Sequence, residues 1–150
     1  MMRRLDLQDK ETAEKVLELQ AASYKIEAQI IDFYDIPPLK DTIDSLRKSG
    51  EIFYGYFEDE ALAGIISYKV IGNTLDIHRV AVHPSFFRMG IAQKMVNFIE
   101  GAEAGINKVV VCTGKENKPA VNLYLKNGYK KTEDIEIGRN IYLTAFEKII

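Results

Sequence analysis

The sequence predicts a mixed α/β fold whose sheet is antiparallel in its N-terminal half and has parallel strands at its centre, with helices flanking it. Residues 52–82 hold three apolar runs joined by short turns, the pattern of an antiparallel meander. Residues 82–128 then change to strand, loop, helix, strand and helix, which requires parallel strands. No repeat, low-complexity stretch or Gly/Ser/Pro-rich linker divides the 150 residues, so the expectation is a single domain over 1–150.

Taken in order, Met2 to Leu7 reads as a short strand and Asp9 as an N-cap. Ala13, Val16, Leu17, Gln20 and Ala21 follow helical spacing on a helix of about fourteen residues. A second apolar stretch, Tyr24 to Phe33, reads as a separate helix that halts near Pro37-Pro38. Leu39 to Lys48 predicts another helix, with Gly50 just past its end. Strands follow at 52–57, 62–71 and 75–82, the last two joined by the tight turn Gly72-Asn73. Gly90 to Glu100 is a helix, Lys108 to Thr113 a β-branched strand, and Pro119 to Gly128 a helix with its proline at the start and its glycine at the end. Tyr129–Ile137 and Ile141–Lys148 close the chain as a strand pair around Gly138-Arg139-Asn140.

Composition removes several classes. Twenty basic against twenty-two acidic residues leave a net charge of -2, with no basic excess to hold nucleic acid. No apolar run has the length of a membrane span, and the basic N-terminus lacks the apolar stretch of a signal peptide. The single cysteine, Cys112, has no disulfide partner, and two histidines without a carboxylate cluster do not suggest a metal. A cytoplasmic protein without nucleic-acid, membrane or metal partners is expected.

The informative segment is Val80-Ala81-Val82-His83-Pro84-Ser85-Phe86-Phe87-Arg88-Met89-Gly90-Ile91-Ala92. A strand runs into a loop that delivers Gly90 to the start of a helix, whose first amides lack internal partners and carry partial positive charge. That arrangement suits a phosphate held by backbone. The spacing fits neither a nucleotide P-loop nor the G-x-G-x-x-G dinucleotide fingerprint.

The segment resembles motif A of the GNAT superfamily, the GCN5-related N-acetyltransferases: a strand ending V-x-P, then Q/R-x-x-G-x-G/A at the opening of a helix. Phe87 stands where Gln or Arg is usual, and Ala92 fills the last position. Downstream, Asn117 to Tyr129 resembles motif B, N-x-x-A-x-x-L-Y-x-K-x-G-F, with Tyr129 for Phe. The likeness is good from Leu62 to Tyr129, while the first sixty residues match nothing specific.

The resemblance implies a GNAT-type fold and acetyl-CoA as co-substrate. Val80, Ala81 and Val82 would then offer backbone groups to the pantetheine arm, and Arg88, Met89, Gly90, Ile91, Ala92 and Gln93 would cradle the pyrophosphate. Asn117 and Ala120 would line the cofactor's path, with Lys126 reaching a phosphate.

Transfer of an acyl group to an amine has two proton problems. The amine must lose a proton from a group whose pKa is about 10, and the departing thiolate needs one. Tyr124, a phenol at the family's acid position, is the expected acid. His78 is the expected base, with Asp76 second and a water chain as the route that needs neither. Counting by twos predicts Asp76, His78, Val80 and Val82 on one strand face. Cys112 reads as a small buried hydrophobe without a basic partner, which favours direct transfer in a ternary complex over an acyl-cysteine.

Acceptor recognition is expected between Tyr24 and Leu39, where Tyr24, Phe33 and Tyr34 would line a pocket and Glu27, Asp32 and Asp35 would attract a cationic amine. The acceptor class is a small-molecule or peptide amine, and pairing of edge strands would give a homodimer. The competing readings are a non-catalytic acyl-CoA sensor, a transferase using another acyl-CoA, and a ligand-free interaction protein.

Overall fold

The computed structural model describes residues 1–150. Asp9 does start the first helix, accepting a hydrogen bond from the Thr12 amide at 3.1 Å. The helix α1 then runs unbroken over Lys10–Ile31, so the two helices expected over this stretch are one. Its buried stripe of Ala13, Val16, Gln20, Tyr24, Ala28 and Ile31 keeps a three-to-four-residue spacing to the end. The apolar pattern looks interrupted in the sequence because Gln20 is polar, yet Gln20 is fully buried and hydrogen-bonded.

Asp32 ends α1 in a left-handed conformation, φ 52°, ahead of the prolines. Pro37–Lys40 forms a 3-10 turn, and α2 covers only Ile43–Arg47. The longer helix expected from Leu39 is cut short by a capping box. Thr42 accepts from the Ser45 amide at 3.1 Å and Ser45 accepts from the Thr42 amide at 2.9 Å, so the helix starts afresh there.

Seven strands form one sheet: β1 (Met2–Arg4), β2 (Ile52–Glu58), β3 (Ala61–Ile71), β4 (Thr74–Val82), β5 (Lys108–Gly114), β6 (Lys130–Gly138) and β7 (Ile141–Ile149). Their order is β1-β2-β3-β4-β5-β7-β6, and the only parallel contact joins β4 to β5. The two remaining helices are α3 (Ile91–Ile99) and α4 (Lys118–Lys126). Alternate residues feed two cores. Ile66, Leu75, Met95, Ile99 and Phe146 meet on the α3/α4 side, while Val16, Ala28, Leu46, Phe53 and Ile65 meet under α1 and α2. No helix is long and apolar enough to cross a membrane.

Two features of β4 open the sheet. In the pairing with β3, Ser67 faces Arg79 but Tyr68 faces Ile77, so His78 is an extra, unpaired residue. Such a bulge bends the strand and shifts its side-chain alternation by one. The expectation that Asp76, His78, Val80 and Val82 share a face is therefore incorrect. Val80 and Val82 pack toward the α3/α4 core with Leu75 and Ile77, whereas Ala81 enters the α1/α2 core. The parallel pairing with β5 also stops at Ile77 opposite Val111. Beyond it β4 stays on β3 and β5 stays on β7, leaving a gap through the sheet.

Candidate active site

The gap between β4 and β5 widens into a cleft of about 1120 Å³ that reaches from the start of α3 to α1 and the strand ends. At one end, the loop after β4 folds into a 3-10 turn at Pro84–Phe86, where His83 Nδ1 accepts from the Ser85 amide at 3.1 Å. The chain then takes two left-handed residues, Arg88 at φ 66° and Gly90 at φ 73°. Gly90 has nothing within 4 Å of where a Cβ would stand, so its glycine serves conformation and an open approach. The six amides from Arg88 to Gln93 donate to no acceptor in the chain, the first bonded one being Lys94 to the Gly90 carbonyl at 3.1 Å. Six free donors at the positive end of a helix, with the Arg88 side chain beside them, form a site for a polyanion.

The exposed edge of β4 lies next along the cleft. Val80 donates its amide to the Tyr24 hydroxyl at 3.3 Å, which places Val80's polar backbone on the gap side. His83 donates to Ala63 of β3, so by alternation Ala81 also faces β3 and Val82 faces the gap. The expectation for Ala81 does not hold, since its backbone pairs with Ile65; Val80 is engaged at both its amide and its carbonyl by the Tyr24 hydroxyl, so Val82 is the part of the edge left open to a ligand. Neither Ala81 nor Met89 lines the cleft, while Arg88, Gly90, Ile91, Ala92, Gln93, Asn117, Ala120 and Lys126 all do.

Tyr124 projects from α4 into the middle of the cleft with its ring packed on Tyr129 and Phe146. Burial, with the neighbouring Glu27 charge, raises its phenol well above the ordinary value, so it stays protonated at neutral pH. Its hydroxyl makes no hydrogen bond within the chain, yet no buried side-chain oxygen or nitrogen lacks a partner, so the hydroxyl opens on the cleft. Asn117 caps α4, accepting from the Ala120 amide at 3.4 Å, and donates through Nδ2 to Glu27 at 2.6 Å. Burial raises the Glu27 carboxyl, and the hydrogen bond from Asn117 opposes that only in part.

The far end of the cleft holds an ionic network that sequence reasoning missed. Arg79 donates to Glu51 at 2.9 Å and to Gln20 at 3.0 Å, and pairs with Asp41. Glu51 also accepts from Ser67 at 2.6 Å, and Asp41 from Ser45 at 2.6 Å and Gln20 at 2.8 Å. Burial works against the charge on Asp41 and on Arg79, but their hydrogen bonds and mutual attraction outweigh it, leaving Asp41 lowered and Arg79 raised. The available signal was a lone arginine inside an apolar strand, which needs buried carboxylates to be tolerated.

His78 stands at the rim of this network, about one-third exposed, with Nε2 3.3 Å from Asp76 and Nδ1 3.8 Å from Glu51. Cys112 also lines the cleft and is exposed there rather than buried as expected, because its side of β5 faces the opening; partial desolvation together with the Asp76 and Glu133 charges raises its thiol, the opposite of what a nucleophile requires. Of the residues expected to read the acceptor, Tyr24 and Glu27 line the cleft. Phe33, Tyr34, Asp32 and Asp35 do not: Asp32 terminates α1, Tyr34 is exposed, and Asp35 pairs with Lys40.

Known proteins share this fold. The chain is 35% identical over 142 residues to the UPF0157 protein YqkA of Bacillus subtilis, covering 93% of this chain but only 41% of YqkA. It is 26% identical over 143 residues to spermidine N(1)-acetyltransferase of Thermoplasma acidophilum, covering 86% of this chain and 87% of the relative. The PaiA N-acetyltransferase of the same organism, solved in complex with coenzyme A, shares the fold at a TM-score of 0.79 and 20% identity, over 97% of this chain and 96% of that one. Residues 13–129 match the acetyltransferase (GNAT) family, a span that begins well before the motifs legible in the sequence, and the chain belongs to that family.

Proposed function

We propose that residues 1–150 act as one acetyltransferase domain that moves an acetyl group from acetyl-CoA to a primary amine of a small molecule or peptide. The observation that carries this reading is a single cleft joining six free amides to an unpartnered, protonated phenol. The free amides and Arg88 fit a pyrophosphate, and the gap-facing backbone of β4 at Val82, with Val80 beside it once the Tyr24 hydroxyl is displaced, fits an amide-bearing arm. When bound, acetyl-CoA supplies an activated acetyl thioester.

The rest belongs to the chain's own residues. Tyr124 donates its proton to the sulfur as the carbon–sulfur bond breaks and the amide bond forms. His78, at the exposed rim, takes one proton from the acceptor nitrogen and passes it to water. The second nitrogen proton restores the phenol, so the products are an amide, a free thiol and one released proton. The raised thiol of Cys112 supports direct transfer in a ternary complex. The family relative named for spermidine supports small amines as the first acceptors to try. With its one cysteine lacking a disulfide partner, the compartment proposed is the cytoplasm.

Thiol release from acetyl-CoA, followed against a panel of amines, tests the reading. Tyr124→Phe should lower kcat by about 10²- to 10³-fold, within the range of a lost general acid, and leave acetyl-CoA binding intact. Unchanged turnover in Tyr124→Phe would remove the phenol from the mechanism.

A further inference from the structure

Helix α1 crosses the opening between β4 and β5, and three of its residues fix where. Tyr24 touches β4, its hydroxyl 3.3 Å from the Val80 amide. Ile31 touches β5, its Cγ2 only 2.9 Å from the position of a Cβ on Gly114. Glu27 lies between them on the same helical face, three residues after one and four before the other, and so hangs over the middle of the gap. Its Oε1 accepts from Asn117 Nδ2 at 2.6 Å, which turns the carboxylate toward α4. Oε2 has no hydrogen-bond partner, and no buried side-chain oxygen lacks one, so Oε2 opens on the cleft. Two polar atoms thus face the same space without partners: the Tyr124 hydroxyl, a donor, and Glu27 Oε2, an acceptor. The other carboxylates near Arg79, Asp41 and Glu51, are already engaged by it.

We propose that Glu27 seats the acceptor, its free oxygen taking the hydrogen bond of the incoming ammonium opposite the Tyr124 hydroxyl. This rests on the acyl-transfer reading of the cleft and adds the residue that selects for a cationic nitrogen. Asn117 is the link between the two substrates, because the side chain that caps α4 along the donor's path also aims the acceptor's carboxylate. An ammonium on Oε2 offsets the burial of Glu27, so binding of the amine completes a site that is otherwise short of one positive charge.

Two variants separate seating from a structural role. Glu27→Gln keeps an oxygen to accept from Asn117 but removes the charge, whereas Glu27→Ala removes both. Steady-state kinetics with 1,4-diaminobutane, spermidine and an alanine-terminated hexapeptide as acceptors should show kcat/KM for the amine falling about 10- to 100-fold in both variants. That is the range for one hydrogen bond to a charged group. The loss should appear mainly in KM for the amine, with KM for acetyl-CoA unchanged in Glu27→Gln. Wild-type kinetics in Glu27→Gln with loss only in Glu27→Ala would overturn the proposal in favour of a purely structural bond to Asn117. Wild-type protein that binds acetyl-CoA but acetylates none of the three acceptors would overturn both this proposal and the transfer reading beneath it.

Discussion

Glu27 is held where a carboxylate is least comfortable, and that has a measurable consequence for stability. Burial raises its carboxyl in the folded chain, while the unfolded chain loses the proton near the ordinary value of 4.5. As pH rises through that window the unfolded state ionises first, so the ionised side chain weakens folding at neutral pH. Glu27→Gln should therefore melt at a higher temperature than wild type at pH 7, with the gap closing toward pH 4. A lower melting temperature at both pH values would show that the carboxylate stabilises the fold. The same side chain illustrates what the sequence conceals. Glu27 could be read there only as one of several acidic residues near the N-terminal helix, alongside Asp32 and Asp35. Helical phase alone separates them: position 27 shares a face with Tyr24 and Ile31, while Asp32 caps the helix and Asp35 follows it. Tyr124 stood out because it sits inside a dense motif, whereas Arg79 and Glu51 did not, since their partnership joins β4 to the residue just before β2 and exists only once the sheet forms.

At the scale of elements, the gap depends on where neighbouring pieces are prevented from pairing. The bulge at His78 bends β4, the parallel ladder ends at Ile77 and Val111, and α1 lies across the opening. Gly114 is the tightest point of that crossing, since an added Cβ would stand 2.9 Å from Ile31 Cγ2 and 3.8 Å from Asn117 Cβ. Gly114→Ala should cost about 1–3 kcal/mol through overpacking, measured as a lower denaturation midpoint in urea. An unchanged midpoint would mean that α1 can lift from β5 freely. The hairpins and the α3 and α4 helices were readable from the sequence, because glycine and proline mark their ends at Gly72, Gly90, Pro119 and Gly128. The continuity of α1 was hidden by buried Gln20, whose partners come from residues eighteen and more positions away. The bulge was hidden for a similar reason: one residue too many in β4 is defined only by its register against β3.

Across the whole molecule, the two cores hold the sheet from opposite faces and the cleft runs between them, which gives each proposed substrate its own side of the protein. The α3/α4 side brings the free amides, Arg88 and Tyr124. The α1/α2 side brings Glu27 and the Arg79 network. The fold was largely readable, and the loop and helix start proposed to meet the donor stood out because a short motif specifies their backbone. The α1/α2 side of the cleft, where the acceptor is proposed to sit, is built from side chains on α1, on β4 and just ahead of α2 and β2 that are distant in sequence, and no short motif encodes it. Both proposed roles depend on acetyl-CoA being held by the free amides and the β4 edge. Thermal unfolding with acetyl-CoA, CoA and ATP tests it most directly. At one hundred times its dissociation constant a ligand adds about 2.7 kcal/mol, which is a rise of several degrees for a chain of this size. That rise should appear with acetyl-CoA and with CoA and be missing with ATP; a transition that neither acetyl-CoA nor CoA moves would mean that the cleft does not take the cofactor.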